Sequence, residues 1–180
     1  MSIYAGSTWS VDVGASDEGW LVVWDALGVL RATRIDREGH ILDSPPMTLT
    51  DEVSEQSSWS IASDGRGYVV LWTHQPYFTD RPSIRATRID HDGTILDAEG
   101  IVVSTSPSTG PEIIHDGTDD WMGWTTEGNR VETRRLSPDG TLGPIRSISN
   151  EGVLSELSRT SAGVIAVLSK DGLLYSALLR

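Results

Sequence analysis

A six-residue run, Arg31-Ala32-Thr33-Arg34-Ile35-Asp36, recurs unchanged as Arg85-Ala86-Thr87-Arg88-Ile89-Asp90. Each copy leads into an acidic residue, Gly, a variable residue and Ile-Leu-Asp: Glu38-Gly39-His40-Ile41-Leu42-Asp43, then Asp92-Gly93-Thr94-Ile95-Leu96-Asp97. A weaker third copy reads Glu132-Thr133-Arg134-Arg135-Leu136-Ser137, with Asp139-Gly140-Thr141-Leu142 after it. Ahead of each lies an apolar run ending in tryptophan: Trp20-Leu21-Val22-Val23-Trp24, Tyr68-Val69-Val70-Leu71-Trp72 and Trp121-Met122-Gly123-Trp124. A degenerate fourth copy begins near Ser155 and has Val164-Ile165-Ala166-Val167-Leu168 in place of that run. The period is roughly fifty residues, which marks a chain of stacked units, none able to bury its apolar face alone.

Each copy reads as four short strands. The first holds Trp9 or Trp59, the second is the apolar run, the third is the Arg-Ala-Thr-Arg segment, and the fourth follows an Asp-Gly turn. Asp64-Gly65, Asp116-Gly117, Asp139-Gly140 and Asp171-Gly172 punctuate them, as Asp and Gly do where a hairpin reverses. The second strands are apolar at consecutive positions, so both of their faces should be buried between neighbouring sheets. No stretch has a capped 3.6-residue period, so helix should be nearly absent. Four strands per unit at this period predict an all-β, four-bladed β-propeller of antiparallel strands in one domain, 1–180. The blades fall at about 7–50, 56–104, 109–148 and 153–180.

The fourth copy stops after its third strand, while residues 2–5 occupy the place of an outer strand. The opening segment is therefore expected to complete the last blade and remove an open strand edge. The alternative closure is an eight-bladed ring from two chains, each lending its first strand; one chain is preferred. The run ending Val-Val-Trp, with Arg-Ala-Thr-Arg-Ile-Asp, Asp-Gly and Ile-Leu-Asp after it, resembles the tandem propeller repeats of bacterial cell-surface and secreted proteins. That resemblance spans nearly the whole chain and implies a propeller with a binding role, often outside the cytoplasm; it brings no catalytic motif. It is compatible with a domain of a larger extracellular protein.

Charge narrows the partners. Fourteen Lys and Arg stand against 26 Asp and Glu, a net −12 over 180 residues, and such a surface repels phosphate backbones and anionic lipids. Nucleic acid and membrane insertion are not expected. There is no cysteine, which excludes disulfides and thiolate ligation. No apolar run approaches the length needed to span a bilayer, and MSIYAGSTWS lacks the basic-then-apolar pattern of an export signal.

Candidate sites follow from what the repeat does not repeat. The connection between second and third strands is longest in the second copy, residues 73–83, and carries His74, then Tyr77 and Phe78 between two prolines. Irregular loops on a rigid scaffold are where binding concentrates, so these three are the first binding candidates, flanked by residues 51–58 and 105–110. Trp9 and Trp59 open the innermost strands and are further binding candidates, whereas Trp24, Trp72 and Trp124 should pack between blades. Glu112 and Glu156 align with Ser10 and Ser60 on the innermost strands, where two carboxylates could hold a hard cation in the central channel; no other cofactor is expected. Asp36-x-Glu38-Gly39 and Asp90-x-Asp92-Gly93 resemble the start of a calcium loop but lack its later glutamate, and shaping the turn is the simpler role. Arg34, Arg88 and Arg135 sit too far out to meet and should pair with acidic neighbours or cover apolar surface. His40, His74, His91 and His115 have no metal-ligand spacing.

Three functional readings remain open. One is a non-catalytic module that recognises a protein or glycan through the variable loop face. Another is a glycan-active hydrolase or lyase that uses Glu112 and Glu156. The last is a self-assembling structural unit.

Overall fold

The computed structural model describes residues 10–51, 58–75 and 81–180. Four antiparallel sheets follow one another along the chain. The first contains β1 (Val11–Ala15), β2 (Gly19–Asp25), β3 (Leu30–Asp36) and β4 (Met47–Thr50). The second contains β5 (Trp59–Ser63), β6 (Tyr68–His74), β7 (Ser83–Ile89) and β8 (Ile101–Val102). In the third are β9 (Ser108–His115), β10 (Asp120–Thr126), β11 (Val131–Leu136) and β12 (Arg146–Ser149), and in the fourth β13 (Val153–Thr160), β14 (Gly163–Lys170) and β15 (Leu173–Leu179). There is no helix among the described residues. The repeat therefore gives the predicted all-β, sheet-by-sheet organisation. The opening strand predicted at residues 2–5, and Trp9, lie outside the described residues.

The turns form where Asp-Gly punctuation places them, and the aspartate does the shaping. Asp36 Oδ1 accepts the N–H groups of Glu38 and His40 at 3.0 and 2.8 Å. Asp64 Oδ1 accepts those of Arg66 and Gly67 at 2.8 and 2.9 Å. Asp116 Oδ1 does the same for Thr118 and Asp119. A side-chain acceptor that reproduces a backbone turn bond is the reason aspartate is favoured there. Asp36, Glu38 and His40 also bring their ligand atoms within 4.8 Å of one another, but the Asp36 carboxylate is already engaged with two backbone N–H groups and with His40 Nδ1 at 2.9 Å.

Consecutive sheets stack face to face. Leu21, Val23, Leu30 and Ala32 of the first sheet pack on Tyr68, Val70 and Trp72 of the second. The opposite face of the second, with Val69, Leu71, Ile84 and Ala86, meets Ile113, Met122 and Trp124 of the third. Trp121 of the third then packs on Leu154, Leu157, Val164 and Ala166 of the fourth. Every residue of β6 and of β10 is buried, as expected for strands covered on both faces. Trp24, Trp72 and Trp124 are all core residues.

The third-strand arginines tie one sheet to the next. Arg34 forms a bidentate pair with Asp43 and donates from Nη1 to the His91 carbonyl of the second sheet. Arg88 repeats this with Asp97, and its Nη1 donates to the Pro138 carbonyl of the third sheet at 2.8 Å. A planar fork meeting a carboxylate is the geometry that makes such pairs strong. In the third copy the aspartate is missing, and Arg135 instead lies over the Trp121 ring at 4.2 Å. The pairing and covering roles expected of these arginines are both present.

The first strands β1, β5, β9 and β13 lie side by side in chain order. The two end faces of the stack differ from the interior ones. Val11, Val13 and Trp20 on the first sheet are exposed, as are Val153, Leu174 and Leu178 on the fourth. In β14 burial alternates along the strand instead of being continuous.

Candidate functional site

The register of pairing decides which inner-strand side chains share a level, because directly opposed residues lie on one face. Counted back from the tryptophan or leucine that ends each apolar run, Val23, Leu71, Gly123 and Val167 hold equivalent places. Opposite them stand Asp12, Ser60, Glu112 and Glu156. The sequence alignment of Ser10 with Ser60 is thus corrected by two residues. Ser10 instead matches Ser58: their carbonyls accept the equivalent N–H groups of Asp25 and Thr73, at 3.4 and 2.8 Å. The shared Ser-x-Trp-Ser pattern around Trp9 and Trp59 misleads here, since a strand slides by two without changing which face its residues present.

The level so defined holds three carboxyl groups and one hydroxyl. Ser60 Oγ accepts the N–H of Ile113 at 3.3 Å, joining β5 to β9 beside Glu112. Glu112 is half-buried, and Glu156 is exposed. Burial is the main cause that pushes the Glu112 carboxyl up to about 7, followed by the charges of Glu156 and Asp12. The first, third and fourth sheets therefore place carboxyl groups within electrostatic reach of one another. At neutral pH this level presents a group that can still donate a hydrogen bond beside groups that accept one. Asp12 is the member that residue spacing missed.

A stability effect follows from the direction of the Glu112 shift. A carboxyl whose folded value lies above its ordinary 4.5 holds its proton more tightly when folded, so its contribution to stability is present at low pH and declines as pH rises towards 7. Glu112→Gln removes that decline. The variant should melt at the wild-type temperature near pH 4.5 and at a higher temperature than wild type near pH 8. A gap between the two melting curves that is the same at both pH values would show that Glu112 carries no such shift.

The other candidates are dispersed. His74, the last residue of β6, pairs in register with Ser83 and is buried at 5% exposure. Trp59 is partly buried against the cluster between the first and second sheets. Tyr77 and Phe78 lie outside the described residues.

No family model matches the chain, and no curated protein matches it. Solved structures do resemble it. The periplasmic gluconolactonase of Pseudomonas aeruginosa superposes with a TM-score of 0.51 at 14% identity, over 82% of this chain and 45% of that one. A puromycin hydrolase superposes with a TM-score of 0.53 at 16% identity, over 92% of this chain and 28% of that one. A prolyl endopeptidase does so with a TM-score of 0.52 at 15% identity, over 92% and 26%. The chain thus spans less than half the length of each. Identities this low speak to fold alone, and the likeness is to propeller-type stacks of antiparallel sheets.

Proposed function

We propose that the chain recognises a glycan at the inner-strand level formed by Asp12, Ser60, Glu112 and Glu156. The observation that carries this reading is the Glu112 carboxyl, held up to about 7 beside the charges of Glu156 and Asp12. Sugar hydroxyls both donate and accept hydrogen bonds, and a neutral carboxyl among carboxylates offers both partners. The net charge of −12 disfavours anionic polymers, so the glycan is neutral or carries amino groups. Tyr77 and Phe78 are proposed, on the sequence alone, as a separate contact for a protein or glycan.

An array of neutral and amino-bearing glycans probed with the purified chain tests this. Binding should weaken roughly tenfold from pH 6 to pH 8, as Glu112 loses its donor. Glu112→Gln, whose amide still donates, should bind alike at both pH values. An empty array, or binding indifferent to Glu112→Ala, sinks the proposal. The proton on Glu112 also favours a second reading, acid–base cleavage of a glycosidic bond. Release of reducing ends from a bound glycan, lost in Glu112→Gln while binding persists, would select it.

The closed four-bladed ring is likewise a proposal, with residues 2–5 as the strand beside β15. Its support is that, among the described residues, the fourth sheet holds three strands where the others hold four, and that both end faces carry exposed apolar residues. Sedimentation at the mass of one chain fits this closure; a two-chain mass would assign the open faces to the eight-sheet ring instead.

A further inference from the structure

The joint between the second and third sheets differs from the joint before it. Between the first and second sheets, Tyr68 of β6 is buried at 5% exposure in the shared cluster. Its hydroxyl donates to Ser16 Oγ at 2.7 Å, closing the turn end of the joint. Counting from Trp72 and Trp124, the place of Tyr68 is taken in the third sheet by Asp120, and the place of Ser16 is taken in the second by Asp64. Opposite Tyr68 stands Ser63, but opposite Asp120 stands His115, whose Nδ1 lies 3.0 Å from Asp120 Oδ1. An aspartate thus stands where a phenol ring closes the neighbouring joint. A cleft of about 220 Å³ opens there, lined by Asp64, Val69, Arg88, His115, Asp120 and Pro138.

The cleft is polar at one end and apolar along its side. Asp120 is 6% exposed, and burial pushes its carboxyl up to about 6 against the opposing pull of His115. Asp64 uses Oδ1 for two backbone N–H groups, which leaves Oδ2 to accept from an occupant. Arg88 is already held by Asp97 and the Pro138 carbonyl. A cavity of roughly 150 Å³ is enough to take a benzene ring, so the volume suits one substituted ring.

We propose that this cleft binds a small phenol, its ring filling the space that Tyr68 fills at the neighbouring joint and its hydroxyl donating to Asp64. The site lies at the turn end of the sheets and is independent of the inner-strand carboxyl level. The repeat supplies the template for the occupant: one copy carries its own ring, and the next copy leaves room for a free one.

The test uses p-cresol as the probe and toluene as its hydroxyl-free counterpart, titrated into the full chain by NMR. Saturable shifts at the resonances of Val69, His115 and Asp120 are expected with p-cresol, and binding roughly tenfold weaker with toluene, since a hydrogen bond to a charged acceptor is lost. Asp120→Tyr restores the tyrosine of the neighbouring joint and should abolish binding of both probes. Should that variant fail to fold, Asp64→Asn preserves the turn-shaping oxygen. It should weaken p-cresol roughly tenfold while leaving toluene unchanged. Absence of saturable p-cresol binding, equal affinity for the two probes, or unchanged p-cresol binding in a folded Asp120→Tyr or Asp64→Asn protein would overturn the proposal.

Discussion

Trp124→Ala should lower stability by about 3–5 kcal/mol, the range for emptying a buried tryptophan site, and should lower the melting temperature by roughly 10 °C in a chain of this size. The indole is fully buried in the cluster where the second and third sheets meet, among Leu71, Ile84, Ala86 and Met122. Leu71 and Met122 belong to strands buried on both faces, so they have little freedom to collapse into the space left behind. The indole N–H also donates to Glu132 Oε2 at 3.3 Å, and Glu132 is itself buried. Its carboxyl loses a donor when the ring goes, which adds to the loss. Thermal melts of Trp124→Ala check this, and a loss below about 1 kcal/mol would mean that the site collapses around the smaller side chain.

Gly19→Ala should destabilise by roughly 3–4 kcal/mol, combining backbone strain with overpacking. Gly19 has φ of +150°, and a Cβ there would sit 2.0 Å from the backbone oxygen of Ile35. That oxygen belongs to β3, paired along its length with β2, so the clash can be relieved only by parting the two strands. Gly67 holds the same place in the second sheet, where a Cβ would come within 2.6 Å of the Ile89 carbonyl oxygen. In the first two sheets the glycine at the start of the second strand is thus set by close approach of the third strand, whereas Asp119 holds the equivalent place in the third sheet. Gly39 has φ of +87° but nothing within 4 Å of its Cβ position, so Gly39→Ala should lose only the conformational share, about 1–2 kcal/mol. Chemical denaturation of both variants checks this. A Gly19→Ala protein no less stable than Gly39→Ala would refute the steric account.

What could be read from residues alone was what is local or repeated. The Asp-Gly turns, the continuous burial of β6 and β10 and the pairing of Arg34 and Arg88 with acidic neighbours each depend on residues a few places away or on a motif that recurs. Asp12 was not legible, because its level depends on how β1 slides along β2, and the matching Trp9 and Trp59 point to a register two residues off. The shared tryptophan endings at Trp24, Trp72 and Trp124, followed back through the pairing, were the signal that places it. His115 and Asp120 looked like a scattered histidine and one acid among many. Their meaning arises only where Asp120 faces the second sheet in the position that Tyr68 takes against the first. Volume across a sheet joint has no one-dimensional signature.

The measurement that bears most directly on the carboxyl level is a carbon-13 NMR titration of the Glu112 side-chain carboxyl in the wild type and in Glu156→Gln. The inner-strand convergence predicts a wild-type midpoint at about 7 and a clear downward move when the Glu156 charge is removed. A midpoint at the ordinary 4.5, unmoved by Glu156→Gln, would contradict it.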